Sequence, residues 1–327
     1  MKKYLFFFLL LINFCIFFFV SNNNINIKYK NIYFSKNCIM LENCLIEYSF
    51  NVFKIALLTI AKMENKYIKE FIDHYFFIGV NKIIIYDNNE INGEKMDEIL
   101  YEYIKNNFVT IYNFRGIKNG QMRAYNEMYE KYRFEYDYLM FFDVDEFLNL
   151  KQYKNIHYFL RDKKYDKCEV IHIQWVAYDD NDLIHYDNRP LNVRFTRPNF
   201  HIFIDNLLVK SIFKTTKNVT FINSHSPNGK NIFKCDINGN KNGQIIPKRN
   251  IAIDKNLTVP YIKHFQCKTV EEFFLKLIRG DVYYSTDPLK IFTKKKFFTI
   301  NKWTKTKENI ANLMIKKYKK KKKNLKN

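Results

Sequence analysis

The residues best suited to chemistry stand together in Phe142-Asp143-Val144-Asp145-Glu146-Phe147-Leu148. Asp143 and Asp145 are carboxylates one residue apart, directly after the apolar run 138–142 (YLMFF), and should project together from the carboxyl end of a buried strand. Hard oxygen ligands in that place suit Mg²⁺ or Mn²⁺ bridging to a diphosphate. The metal would offset charge building on a nucleoside-diphosphate leaving group. The plainer alternative is an acidic loop that caps the next helix. Two upstream loops fall at equivalent places, with Lys62 and Glu64 after one apolar run and Asp87 with Asn88 after another. These side chains should face the same crevice, where carboxylates accept hydrogen bonds from ribose hydroxyls or a base N–H. Asp87-Asn88-Asn89 also reads as simple turn chemistry.

Positioning such groups requires strands whose carboxyl ends line up. Residues 53–60 (FKIALLTI), 82–86 (KIIIY), 108–113 and 138–142 are short apolar runs, as expected for strands buried on both faces. Between them Ile68, Phe71, Ile72, Tyr75 and Phe76 recur at helical spacing until Gly79, residues 94–105 read as a second helix, and Met122, Tyr125, Met128, Tyr129 and Tyr132 mark a third. Four strand and helix alternations imply an α/β fold, a mostly parallel sheet with helices on both faces. Ligands of such sheets sit at the carboxyl ends of the strands. The second half is irregular. Residues 170–178 (VIHIQWVAY) alternate like a half-exposed strand, Asn-Gly pairs punctuate 228–243, and 259–265 reads as a last strand. Thr269 and Glu272 then have capping-box spacing ahead of a helix that Gly280 would stop.

Several separated motifs, in order, resemble the nucleotide-sugar glycosyltransferases of the A-type (GT-A) fold, in the group containing family 92 and the related family 2 branch with a DVDEF motif. They are Ala61-Lys62-Met63-Glu64-Asn65, the helix from Tyr67, residues 83–88 (IIIYDN), Gln121 to Asn126 (QMRAYN), Asp143 to Leu148, and residues 262–280 (IKHFQCKTVEEFFLKLIRG). The resemblance implies that Lys62, Glu64 and Asp87 contact the nucleotide and that Gln121 and Arg123 line the sugar-nucleotide pocket. It also implies that Asp143 and Asp145 hold the metal and diphosphate, with His264 completing the metal shell or contacting the diphosphate. His225 competes for the role of His264, and Lys268 and Arg279 are candidate phosphate partners. Inverting transfer, implied by the same resemblance, needs a general base at the acceptor hydroxyl. Asp179, Asp180, Asp182 and Glu146 are placed for it, with Asp180 preferred. The expected activity is metal-dependent transfer of a hexose, probed first as UDP-linked, onto a glycan acceptor. A catalytically silent glycan-binding scaffold with the same fold is the competing reading, opposed by the intact Asp143, Asp145, Glu64 and Asp87.

Composition agrees with one large folded domain plus appendages. Of 327 residues, 47% are apolar and 18% aromatic, which excludes disorder and collagen. The net charge of +21 comes almost wholly from lysine, since nine arginines occur, and Asn, Ile, Phe and Tyr are enriched alongside it. Codon bias explains that pattern better than a nucleic-acid partner does. Residues 1–20, apolar behind Lys2 and Lys3, read as a signal peptide or, in preference, an uncleaved signal anchor, 21–50 as a stem, 51–300 as the catalytic domain and 301–327 as a solvated basic tail. The anchor makes the membrane a partner and places the catalytic domain in the lumen of a eukaryote or on the cytoplasmic face of a bacterium. Six cysteines lack CxxC spacing, which argues against a zinc ribbon, and Cys38 and Cys44 could close a small loop in an exported chain.

Overall fold

The computed structural model describes residues 53–200, 208–241, 256–279, 301 and 304–324, all within the unit Glu47–Asn327. The expected anchor, the stem, Cys38, Cys44 and Gly280 lie outside the described residues. Among those described, no helix is long and apolar enough to cross a membrane.

Strand β1 (Ile55–Ala61) is flanked in parallel by β2 (Lys82–Asp87) and β4 (Tyr138–Phe141), and β2 by β3 (Val109–Asn113). Every residue of β1, β2 and β4 is buried because layers cover both faces. Ile55, Leu57, Ile83 and Ile85 pack with Ile68, Phe71 and Tyr75 of helix α1 (Asn65–Phe77). Ala56, Leu58, Ile84 and Tyr86 point the other way, onto Ala124, Tyr125 and Met128 of α3 (Gln121–Tyr132). The period-two alternation of side chains thus explains why these runs are apolar throughout. Past α1, Gly79 has φ +96, a left-handed conformation that turns the chain off the helix, as its place in the sequence implies.

The helix expected over 94–105 shrinks to one turn, α2 (Tyr101–Lys105). Ahead of it, the Arg115 guanidinium donates to the carbonyls of Glu90, Ile91, Gly93 and Glu94. Carbonyls held from outside leave this segment as a loop despite Met96 and Leu100 being buried at helical spacing.

Beyond β4 the sheet order is β3-β2-β1-β4-β7-β6-β9-β5, with β8 (Lys234–Cys235) beside β6. Strands β7 (Val209–Lys214) and β6 (Val170–Ala177) run antiparallel to one another, β9 (Tyr261–His264) runs parallel to β6, and β5 (Glu146–Asn149) antiparallel to β9. Strand β6, expected to be half-exposed, is buried except at Gln174, because it is paired on both edges. Short helices α4 (Ile156–Leu160) and α5 (Leu191–Arg194) line the loops around this half.

The capping box forms as its spacing implies. The Glu272 backbone N–H donates to Thr269 Oγ1 at 3.1 Å and the Thr269 N–H to Glu272 Oε2 at 3.2 Å, opening α6 (Val270–Arg279). The segment read as a solvated tail instead carries α7 (Lys305–Asn324). Its Ala311 packs with Val270 and Phe273 of α6, while Lys316, Lys317 and Lys320 are exposed.

Cys168 and Cys235 form a disulfide across 67 residues, tying the loop before β6 to β8. Closing so long a loop restricts the unfolded chain, so Cys235→Ser should cost about 2–5 kcal/mol, read as a lower urea midpoint. Nearby, buried His172 shares a hydrogen bond with Ser226 Oγ at 2.9 Å, and burial, reinforced by Lys234, pushes its imidazole down to about 4. An unfolded histidine takes up a proton near pH 6.5. The stability His172 contributes is therefore complete above that pH and is lost as pH falls towards 4, by about 3 kcal/mol. Urea titrations at pH 7 and pH 4.5 should show this decline, and a His172→Gln variant should flatten it.

Candidate active site

Parallel register brings the carboxyl ends of three strands level. Ala61 pairs with Asp87, Asp87 with Asn113, and Leu58 with Phe141 just ahead of Asp143. Asp87 ends β2 at this edge, and Asp143, Asp145 and Glu146 follow β4.

The centre of this edge is an ionic cluster. Lys210, at the start of β7, is fully buried, with Nζ 2.9 Å from Asp143 Oδ2 and 3.4 Å from Glu146 Oε2. Burial alone would push this ammonium down, but the two carboxylates more than offset it and hold Lys210 above the usual lysine range. Glu146 Oε2 also accepts the Asp143 backbone N–H at 2.9 Å, which fixes the turn after β4. Burial raises the Glu146 carboxyl well above its ordinary value, with Lys210 opposing. Asp143 Oδ1 lies 3.5 Å from both Gln121 Nε2 and the Tyr125 hydroxyl.

Asp145 turns to different partners. Its Oδ2 is 2.6 Å from Lys276 Nζ and 3.5 Å from Lys268 Nζ, and its Oδ1 is 3.6 Å from His264 Nε2. Burial works against its charge, yet Lys276, Lys268 and His264 hold it well below the usual carboxylate range. His264 sits on β9 opposite Glu146 and packs on Trp175, with ring centroids 4.3 Å apart. Burial lowers its imidazole, with Asp145 opposing. Trp175 also packs against His225, at 5.2 Å, and lies under the Lys210 ammonium.

Asp143 and Asp145 therefore do not project together as their spacing implied. One faces α3 and β7, the other α6 and β9, and among the described residues no three His, Cys, Asp or Glu side chains converge to hold a metal. Asp145 and His264 do face each other, and Gln121 does reach Asp143. The outer residues have other partners. Lys62 pairs with Glu90 at 2.8 Å, and exposed Arg123 pairs with Glu127 one helical turn away. Asp87 accepts from Arg115 Nε at 2.9 Å and from the Asn89 N–H, while buried Glu64 accepts the Tyr67 and Ile68 N–H groups through its carbonyl at the start of α1. Neither carboxylate expected as the general base is open. Asp180 and Glu146 are both 0% exposed, and Asp180 is closed by Lys307 at 2.7 Å with the Asn301 side chain on its N–H. Asp179 and Asp182 are each paired with Arg197.

A sequence model described as glycosyltransferase family 92 matches residues 57–324, most of the chain. The chain belongs to glycosyltransferase family 92. Its α/β sheet, parallel in the β1–β4 half, agrees with the fold class expected from the sequence. No curated protein matches the sequence. Among solved structures, S. aureus TarS 1-349 is 14% identical at a TM-score of 0.33, over 50% of this chain and 47% of that one. TarS 1-349 in complex with UDP-GlcNAc gives 14%, 0.33, 50% and 45%. The mannosyltransferase PcManGT from Pyrobaculum calidifontis, in complex with GDP-Man and Mn²⁺, gives 10%, 0.29, 37% and 35%. The chain thus spans about half the length of the TarS 1-349 structures it matches.

Lys210, Lys276 and Arg115 of this family 92 member are absent from the sequence reading. A lysine in the otherwise apolar strand 209–213 (VKSIF) was the visible signal, since a buried ammonium needs a carboxylate. Lys210→Met should cost about 3 kcal/mol by leaving buried Glu146 and part-buried Asp143 without their cation. Pairing it with Glu146→Gln should cost less than the two single changes summed, measured by urea unfolding of the four proteins.

Proposed function

We propose that this family 92 enzyme transfers a hexose from a nucleotide-diphosphate donor, UDP-linked in the first instance, to a glycan acceptor with inversion at the anomeric carbon. The observation that carries this is the Asp145–His264 pair ringed by Lys276 and Lys268 at the carboxyl edge of the sheet. The lysines supply positive charge for a diphosphate, and Lys210 adds to the field from beneath. Gln121 and Tyr125 hold Asp143 toward the donor side of the crevice, where its carboxylate orients sugar or ribose hydroxyls.

Asp145 and His264 are a facing oxygen and nitrogen donor pair, and a divalent cation between them would have to displace Lys276 and Lys268 from Asp145. Asp145 and His264 would hold Mn²⁺ or Mg²⁺, which supplies charge neutralisation for the departing diphosphate. Asp143, turned to Lys210, stays outside that pair. Residues 1–20 serve as a single-span anchor, and the Cys168–Cys235 disulfide supports a catalytic domain in an oxidising lumen.

The test is Mn²⁺-dependent hydrolysis by the full chain across UDP-, GDP- and CDP-sugars. Turnover of one donor should be abolished by chelation and restored by Mn²⁺, and should fall by at least about 10²-fold in Asp145→Asn and His264→Gln. A folded protein that neither binds nor turns over any of these donors would refute the reading.

A further inference from the structure

The expected bases are closed, yet inverting transfer still needs a group to take the proton from the attacking hydroxyl. Asp180 and Glu146 have no exposed surface, and Asp179 and Asp182 are spent on Arg197. One side chain beside the cluster has a fixed orientation and an available lone pair. His225 is half-buried, and its backbone N–H donates to Asn223 Oδ1 at 2.9 Å while its carbonyl accepts the Ser211 hydroxyl at 2.6 Å. Its ring Nδ1 lies 3.0 Å from the Val209 carbonyl oxygen, an acceptor only, so Nδ1 carries the proton and Nε2 bears the lone pair. Nε2 is the one polar atom of His225 without a hydrogen-bond partner among the described residues.

The ring stands beside the proposed donor site. His225 and His264 pack on the same indole, Trp175, and Val209, which holds the His225 ring, precedes Lys210. The charged and titratable groups acting on His225 are Lys210, Asp143 and His264. Burial first, then Lys210, pushes its imidazole down to about 4, so the ring is neutral at neutral pH with its Nε2 lone pair free of a proton. A base this weak takes a proton only as the hydroxyl oxygen bonds to the anomeric carbon and acidifies.

We propose that His225 Nε2 is the general base of the transfer. This rests on the glycosyl-transfer reading above. The acceptor hydroxyl gives its proton to Nε2 as its oxygen bonds to the anomeric carbon. The bond from that carbon to the diphosphate oxygen breaks, and its electron pair leaves with the diphosphate. The resulting imidazolium keeps its Nδ1 bond to Val209, lies in the field of Asp143, and returns the proton to water.

The experiment compares full-chain wild type, His225→Asn and His225→Gly. The asparagine amide can retain the bond to the Val209 carbonyl, and the glycine leaves room for free imidazole. Water serves as the acceptor probe, with hydrolysis of whichever donor the wild type turns over as the readout and UDP binding measured by calorimetry. Both variants should lose about 10²–10⁴-fold in kcat with UDP affinity unchanged, and added imidazole should restore turnover to His225→Gly. Hydrolysis within about threefold of wild type overturns the assignment. So does a loss accompanied by weaker UDP binding, a loss reversed by excess Mn²⁺, which marks a metal ligand, or a loss that imidazole does not restore. Absence of turnover and of nucleotide binding in the wild type itself sinks the glycosyl-transfer reading instead, so the two failures are told apart.

Discussion

A lysine ammonium with no exposed surface cannot be carried by a protein interior unless carboxylates surround it, and Lys210 has two. Because Lys210 lies on β7 and its partners follow β4, the ion pair fixes how the antiparallel half of the sheet meets the parallel half. Glu146 then serves twice, neutralising the lysine and holding the Asp143 N–H, so the turn that presents Asp143 is stiffened from within. The turn that carries Asp143 thus depends on a charge balance beneath it.

A second buried network braces the other side. Glu272 completes the capping box of α6, receives a bidentate pair of bonds from Arg194 at 2.9 Å each, and accepts from the Tyr67 hydroxyl at 2.7 Å. One carboxylate therefore joins α1, α5 and α6. Lys276 stands one helical turn beyond Glu272, so the cation on Asp145 is placed by a helix whose start is fixed by six hydrogen bonds at a single residue's side chain and N–H.

The parallel half was legible because its causes are local. Alternating burial writes continuous apolar runs, Gly79 ends α1, and Thr269 with Glu272 opens α6, each readable within a few residues. The failures share another cause, contacts between distant residues. The helix expected from residue 94 yields to Arg115, about twenty residues on. Strand β6 is paired with β7, β8 and β9, all reached only across long connections. At the site, residue types were legible but pairings were not. Asp143 is claimed by a lysine 67 positions away and Asp145 by one 131 away, and no spacing rule reports either. Asp180 had the right chemistry for a base, and only its burial against Lys307 disqualifies it.

That last pair governs when the fold can finish. Asp180 and Lys307 are 127 residues apart, and until the lysine arrives the β6 end must either leave a carboxylate in water or bury it without its cation. At about 5–20 residues per second of synthesis, roughly 6–25 seconds separate the two on the ribosome. The last helix is then less an appendage than a latch, and a nascent chain stays open at this corner until its lysine-rich end has emerged.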